Sequence, residues 1–122
     1  MRNSIHARFF TDRDINTIEF GRVDLAKDYL SADLDMKLSL DSVAGKIGLS
    51  RFHFIRMFKR HTGLSPHQFR IRHRIDAAKI LIQKGLPLSE IALETGFSDQ
   101  SHFTNTFRQS TGLTPSQYAH LQ

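Results

Sequence analysis

Two rows of side chains in this 122-residue chain have the types and spacing to read the edges of nucleic-acid bases. Phe52, Ile55, Arg56 and Lys59 recur at i, i+3, i+4 and i+7, which lines them up on one stripe of a helix. An arginine can donate two hydrogen bonds to guanine O6 and N7, and apolar groups can meet the thymine methyl. Ser101, Thr104, Asn105 and Arg108 form a second row with the same spacing, flanked by Gln100 and His102. Asn and Gln are the side chains suited to paired bonds with adenine N6 and N7.

Each row has a plainer reading. Phe52 and Ile55 could pack on a neighbouring helix, and Arg56 could be solvated or held in an internal ion pair. The second row could be an ordinary polar surface.

The elements that must carry these rows are written twice. Leu40, Val43, Ala44, Gly48 and Ser50 match Leu88, Ile91, Ala92, Gly96 and Ser98 at an offset of 48 residues. Phe58, Thr62, Gly63, Leu64, Pro66, Gln68 and Phe69 match Phe107, Thr111, Gly112, Leu113, Pro115, Gln117 and Tyr118 at an offset of 49. One residue has therefore been added between Ser98 and Phe107. The repeated unit has the spacing of a helix-turn-helix. Close approach of two helices wants a small residue, supplied by Ala44 and Ala92. The turn wants a positive φ, which Gly48 and Gly96 adopt without a Cβ penalty. Phe54, Met57, Phe58 and His61 make the inward stripe of the first reading helix, and Phe103 and Phe107 that of the second.

Caps and breakers place the rest. The stripe of Leu25, Ala26, Tyr29 and Leu30 predicts a helix from Val23. Ser39 and Ser50 are N-caps, and Ser65–Pro66 opens what reads as the longest helix, running to about Lys84. Further helices are expected over about Leu88–Thr95, Asp99–Ser110 and from Pro115. No stretch alternates with period two long enough for a strand. The fold class expected is all-α, with seven helices in two helix-turn-helix subdomains joined by a long central helix. The divisions are an N-terminal extension over 1–21, a first subdomain over 22–64, a connecting helix over 65–85 and a second subdomain over 86–122. The extension mixes Arg2, Arg8 and Arg13 with Phe9, Phe10 and Phe20 without a helical period. It reads as a poorly ordered tail, a short packed extension, or a basic arm on phosphate.

A connecting helix of about 19 residues spans roughly 28 Å, against roughly 34 Å between successive major-groove faces of B-DNA. Phe69, Ile75, Ala78, Leu81 and Ile82 should seat it on both subdomains. Arg70, Arg72, Arg74 and Lys79 should be solvated or ion-paired.

Composition agrees with a polyanionic partner: 17 Lys and Arg against 12 Asp and Glu give a net charge of +5. The charge is uneven, with Arg51, Arg56, Lys59 and Arg60 on the first reading helix and only Arg108 on the second, which opens with Asp99. Lys59, Arg60 and Arg108 are therefore the expected phosphate contacts, and the first unit should supply more of the phosphate-driven affinity. There is no cysteine, hence no disulfide framework or thiolate metal site. The histidines lack an H-x-x-x-H pair, and there is neither a phosphate loop nor a nucleophile elbow. No metal, cofactor or enzymatic activity is expected. Without a membrane-length apolar run or signal-peptide pattern, the chain reads as cytosolic.

The stretch from Ile91 to Tyr118 closely resembles the signature of the AraC/XylS family of bacterial transcription regulators. The stretch from Leu49 to Pro66 is similar to that family's first helix-turn-helix, and the likeness covers about Val23 to Gln122. The resemblance implies two helix-turn-helix units entering successive major grooves of double-stranded DNA. It puts the base contacts on Arg51, Phe52, Ile55 and Arg56 in the first helix and on Gln100, Ser101, His102 and Asn105 in the second. Where this chain has Asn105 the family often has a basic residue, usually arginine, which implies a weaker grip by the second unit. The chain looks like the small stand-alone activators that act as monomers and recruit RNA polymerase, or like the DNA-binding piece of a larger regulator. A helical protein-interaction module without specific DNA binding is the alternative.

Overall fold

A computed structural model describes residues 11–121. Among the described residues there are seven helices and no strand: α1 (Asp12–Ser31), α2 (Leu40–Lys46), α3 (Arg51–Thr62), α4 (Pro66–Gln83), α5 (Leu88–Glu94), α6 (Gln100–Thr111) and α7 (Pro115–His120). None is long and apolar enough to cross a membrane.

The first helix corrects the reading of the N-terminal stretch. It starts at Asp12, not Val23, so residues 12–21 belong to a helix of 20 residues that is longer than the 18-residue α4. A capping box starts it: Thr11 Oγ1 accepts from the Asp14 backbone N–H at 3.2 Å, and Asp14 Oδ2 accepts from the Thr11 N–H at 3.0 Å. Apolar periodicity was absent there because this half of α1 buries no apolar side chain. Ile15, Ile18 and Phe20 are exposed, while Val23, Ala26 and Leu30 further along are buried. Arg2, Arg8, Phe9 and Phe10 lie outside the described residues.

Two cores form, one per unit. Val23, Ala26, Leu30, Val43, Ala44, Ile47, Phe54, Met57 and Phe58 make the first, with Phe69 of α4 packed against it. Ile75, Ala78, Ile82, Ile91, Ala92, Phe97, Phe103 and Phe107 make the second, with Leu81 and Tyr118 at its edge. Helix α4 thus gives its first turns to one core and its later turns to the other, as its apolar residues suggested.

The duplication extends to individual hydrogen bonds. In both turns a backbone N–H reaches back to the small residue's carbonyl, Leu49 to Ala44 and Phe97 to Ala92, each at 2.9 Å. Gly48 and Gly96 sit at φ 75° and 90°. Where each reading helix ends, Thr62 Oγ1 donates to the Phe58 carbonyl at 2.8 Å, and Thr111 Oγ1 to the Phe107 carbonyl at 2.8 Å. The capping boxes Ser65–Gln68 and Thr114–Gln117 then start α4 and α7. The additional residue of the second copy falls in the turn: Ser50 caps α3, whereas Asp99, the residue after Ser98, caps α6.

The arginines of α4 depart from expectation. Arg70 is buried, 5% exposed, and has no ion pair among the described residues. Its Nη1 donates to the Leu30 and Ala32 carbonyls at 2.9 and 3.0 Å. Its Nη2 donates to those of Asp33 and Met36 at 2.9 and 2.6 Å. The segment between α1 and α2 leaves carbonyls without helical partners, and a planar guanidinium meets four of them at once. Arg74 bonds the Leu34 and Met36 carbonyls at 3.1 and 3.3 Å. Lys79 lies over the Tyr118 ring, 5.9 Å from its centroid. Of the four basic residues, Arg72 alone is exposed, as expected.

Candidate nucleic-acid interface

Helix α3 is built to turn one face inward. Ser50 Oγ accepts the His53 N–H at 3.2 Å, and Gly63 at φ 79° closes the other end. Phe54, Met57 and Phe58 are fully buried, and Phe58 meets Phe69 edge-on at 5.3 Å. With that stripe fixed, the other row points away from the core. Phe52 is 78% exposed, Arg56 and Lys59 are exposed, and Ile55 is half-buried. Phe52 therefore does not pack on a neighbouring helix, and Arg56 has no ion pair among the described residues. A phenyl ring in water forgoes about 1.5–3 kcal/mol that burial would return. Arg51 is exposed at the start of the helix, 3.9 Å from Asp41, a distance that restrains it weakly.

Helix α6 repeats the arrangement with polar groups. Asp99 Oδ1 accepts the His102 N–H at 2.7 Å, and Gly112 closes the helix at φ 81°. Phe103 and Phe107 are fully buried. Gln100, Ser101, Thr104 and Asn105 line one shallow depression on the surface, so the structure brings them together. His102 is exposed but tied to the turn: its Nδ1 lies 3.3 Å from Ser98 Oγ, and its ring meets Phe97 edge-on at 5.3 Å. Arg108 is exposed and has no ion pair among the described residues.

Arg60 is the phosphate candidate that the fold places differently. Its Nη2 reaches both carboxylate oxygens of Glu19 on α1, at 2.8 and 3.0 Å. His61 Nε2 lies 2.8 Å from Glu19 Oε1, and the ring stacks edge-on against Phe20 at 4.6 Å. The His61 bond, then Arg60, holds the Glu19 carboxyl below the usual range. Glu19 escaped sequence reading because it lies in the stretch without apolar period. The Thr11-x-x-Asp14 pattern was the signal that a helix begins there.

The turn residues Ala44 and Ala92 are each 1% exposed, at the helix crossings where small side chains were required. The two glycines differ in their surroundings. A Cβ on Gly48 would meet nothing, whereas one on Gly96 would run into the Leu34 carbonyl and the Arg74 guanidinium.

The "Helix-turn-helix domain" family model matches residues 43–120. Over 95 residues the chain is 37% identical to the probable transcriptional regulator LumQ of Photobacterium leiognathi, covering 77% of this chain and 38% of LumQ. Over 93 residues it is 33% identical to the transcriptional activator RhaR of Escherichia coli K12, covering 75% of this chain and 33% of RhaR. The chain thus spans between 33% and 38% of the length of these relatives. A crystal structure of a transcriptional regulator from Chromobacterium violaceum, described among AraC-type DNA-binding domain-containing proteins, superposes with a TM-score of 0.76 at 29% identity. That match covers 82% of this chain and 90% of the other. With duplicated turns, duplicated closing joints and two inward phenylalanine stripes matched across most of its length, the chain belongs to the AraC/XylS family of helix-turn-helix transcription regulators.

Proposed function

We propose that this chain binds double-stranded DNA at a specific sequence, laying α3 and α6 in successive major grooves, and that it activates transcription by recruiting RNA polymerase. The observation that carries the reading is the outer face of α3. An exposed Phe52 stands beside a solvated Arg56 on a helix whose core stripe is already complete. A thymine methyl and a guanine edge are partners that such a pair fits. Arg51 and Ile55 would extend the contact, and Gln100, Ser101, His102 and Asn105 would read the second half-site. Lys59 and Arg108 would take phosphates, with Arg60 joining them only if Glu19 releases it.

In this reading residues 12–64, with α1 whole, and 86–122 are the two reading heads and α4 is the spacer, about 27 Å long for its 18 residues. The chain would act as a monomer on a non-palindromic site, at the nucleoid in the bacterial cytoplasm. Selection of bound duplexes from a random pool, with affinities at several salt concentrations, tests it. A bipartite motif with half-sites about one helical turn apart is expected. A single short motif would limit reading to α3. Salt-dependent binding without any enriched motif would favour a protein-interaction module.

A further inference from the structure

Helix packing between the two units runs through α4, which contacts elements of both. One further link crosses between them. The loop from Ala32 to Leu38, which joins α1 to α2 within the first unit, is bonded by arginines of α4 and touches the turn of the second unit. Asp33 in this segment has a positive φ of 45°, a conformation that strains a residue with a Cβ. Arg70 holds it there from one side. Arg74 holds the next carbonyl, Leu34, through Nε at 3.1 Å, and its guanidinium lies over the Phe97 ring at 5.9 Å. Gly96, one residue before Phe97, lies so close that no side chain fits between it, the Leu34 carbonyl and Arg74. The absent Cβ of Gly96 thus serves the junction as well as the turn.

We propose that Arg74 is a positioning residue that fixes the rotation of the second reading head against the first, and so sets the spacing and phase of the two half-sites. This rests on the DNA-reading function proposed above. Arg74 joins three things at one point: the first unit's loop, the connecting helix and the aromatic wall of the second unit's turn. A guanidinium does this because its fork bonds two carbonyls in its plane while its face lies on a ring. Without it the loop loses two hydrogen bonds, and the second head keeps its α4 packing and the bare approach of Gly96 to the Leu34 carbonyl.

The test uses the half-sites recovered by duplex selection, placed in duplexes with the natural spacer and with spacers one and two base pairs longer or shorter. For the wild-type chain each added base pair rotates one half-site away from its head. Affinity should fall about tenfold or more, because the second contact is lost. Arg74→Gln should bind each isolated half-site within about twofold of wild type, while its penalty for one base pair shrinks to about two- to threefold. Arg74→Lys keeps the charge but not the fork and should flatten the profile as well; it replaces the glutamine variant if that one fails to fold. A variant profile as steep as the wild type's overturns the inference. So does an equal loss at every spacer with a shallower salt dependence, which would make Arg74 a phosphate contact. A wild-type chain with no preferred sequence would instead overturn the DNA-reading function itself.

Discussion

Glu19 on α1 and Arg60 on α3 are joined by a guanidinium nitrogen that reaches both carboxylate oxygens, across 41 residues of sequence. The pair fastens the otherwise exposed half of α1 and occupies a cation of the reading helix. Glu19→Gln should lower stability by about 1 kcal/mol in urea denaturation. It should also free Arg60 for phosphate, steepening the dependence of log affinity on log salt by about one unit. A salt slope equal to wild type would mean that Arg60 lies out of reach of the backbone.

The same carboxylate gives stability a pH dependence. Its folded value is lowered, chiefly by the His61 bond and then by Arg60. The folded chain therefore binds fewer protons there than the unfolded chain. The contribution is fully present above about pH 4.3, the unfolded range, and is lost as pH falls through the lowered folded value. Thermal unfolding followed from about pH 6 down to about pH 3 should show a shallower acid limb in Glu19→Gln than in wild type.

On the reading face, Arg56→Ala should cost about 1–3 kcal/mol on the selected site and relax preference at one base pair. Equal losses on selected and random duplexes would make Arg56 a phosphate contact only.

In the second head, Asn105→Arg places a cation in the depression formed by Gln100, Ser101 and Thr104. It should tighten binding to the second half-site and add about one unit to the salt slope. If neither changes, that half of α6 does not approach the DNA.

The two turn glycines should differ in sensitivity. Gly48→Ala strains the backbone alone, costing about 1–2 kcal/mol, because a Cβ there meets nothing. Gly96→Ala should cost more in the same denaturation experiment, since its Cβ also displaces the Leu34 carbonyl and Arg74. A β-branched residue at Gly48 should be worse than alanine, the backbone region being closed to it.

What the sequence made legible was whatever is encoded within a few residues. Ser39, Ser50 and Ser65 cap where they were placed, Gly48 and Gly96 turn, and the phenylalanine stripes are buried. Periodicity then separated the inner and outer faces of α3 and α6, which located the outward rows. Two kinds of feature were hidden. The first half of α1 buries too little to leave a period, so only its capping box marks it. Arg70, Arg74 and Arg60 are ordinary basic residues in sequence, and their partners lie 34 to 41 positions away. Two of these partner sets are backbone carbonyls, which carry no side-chain signature at all.

The division of α4 between two cores has a consequence for how the chain opens. A helix that belongs to both halves cannot melt in its middle without loosening each of them, whereas α7 and the outer part of α1 can fray alone. Amide exchange should therefore rank the central amides of α4 with the slowest in the molecule, opening only with global unfolding. The helix that measures the distance between the two heads is thus also the one whose integrity reports on both, so neither head is lost while the ruler stays intact for the other.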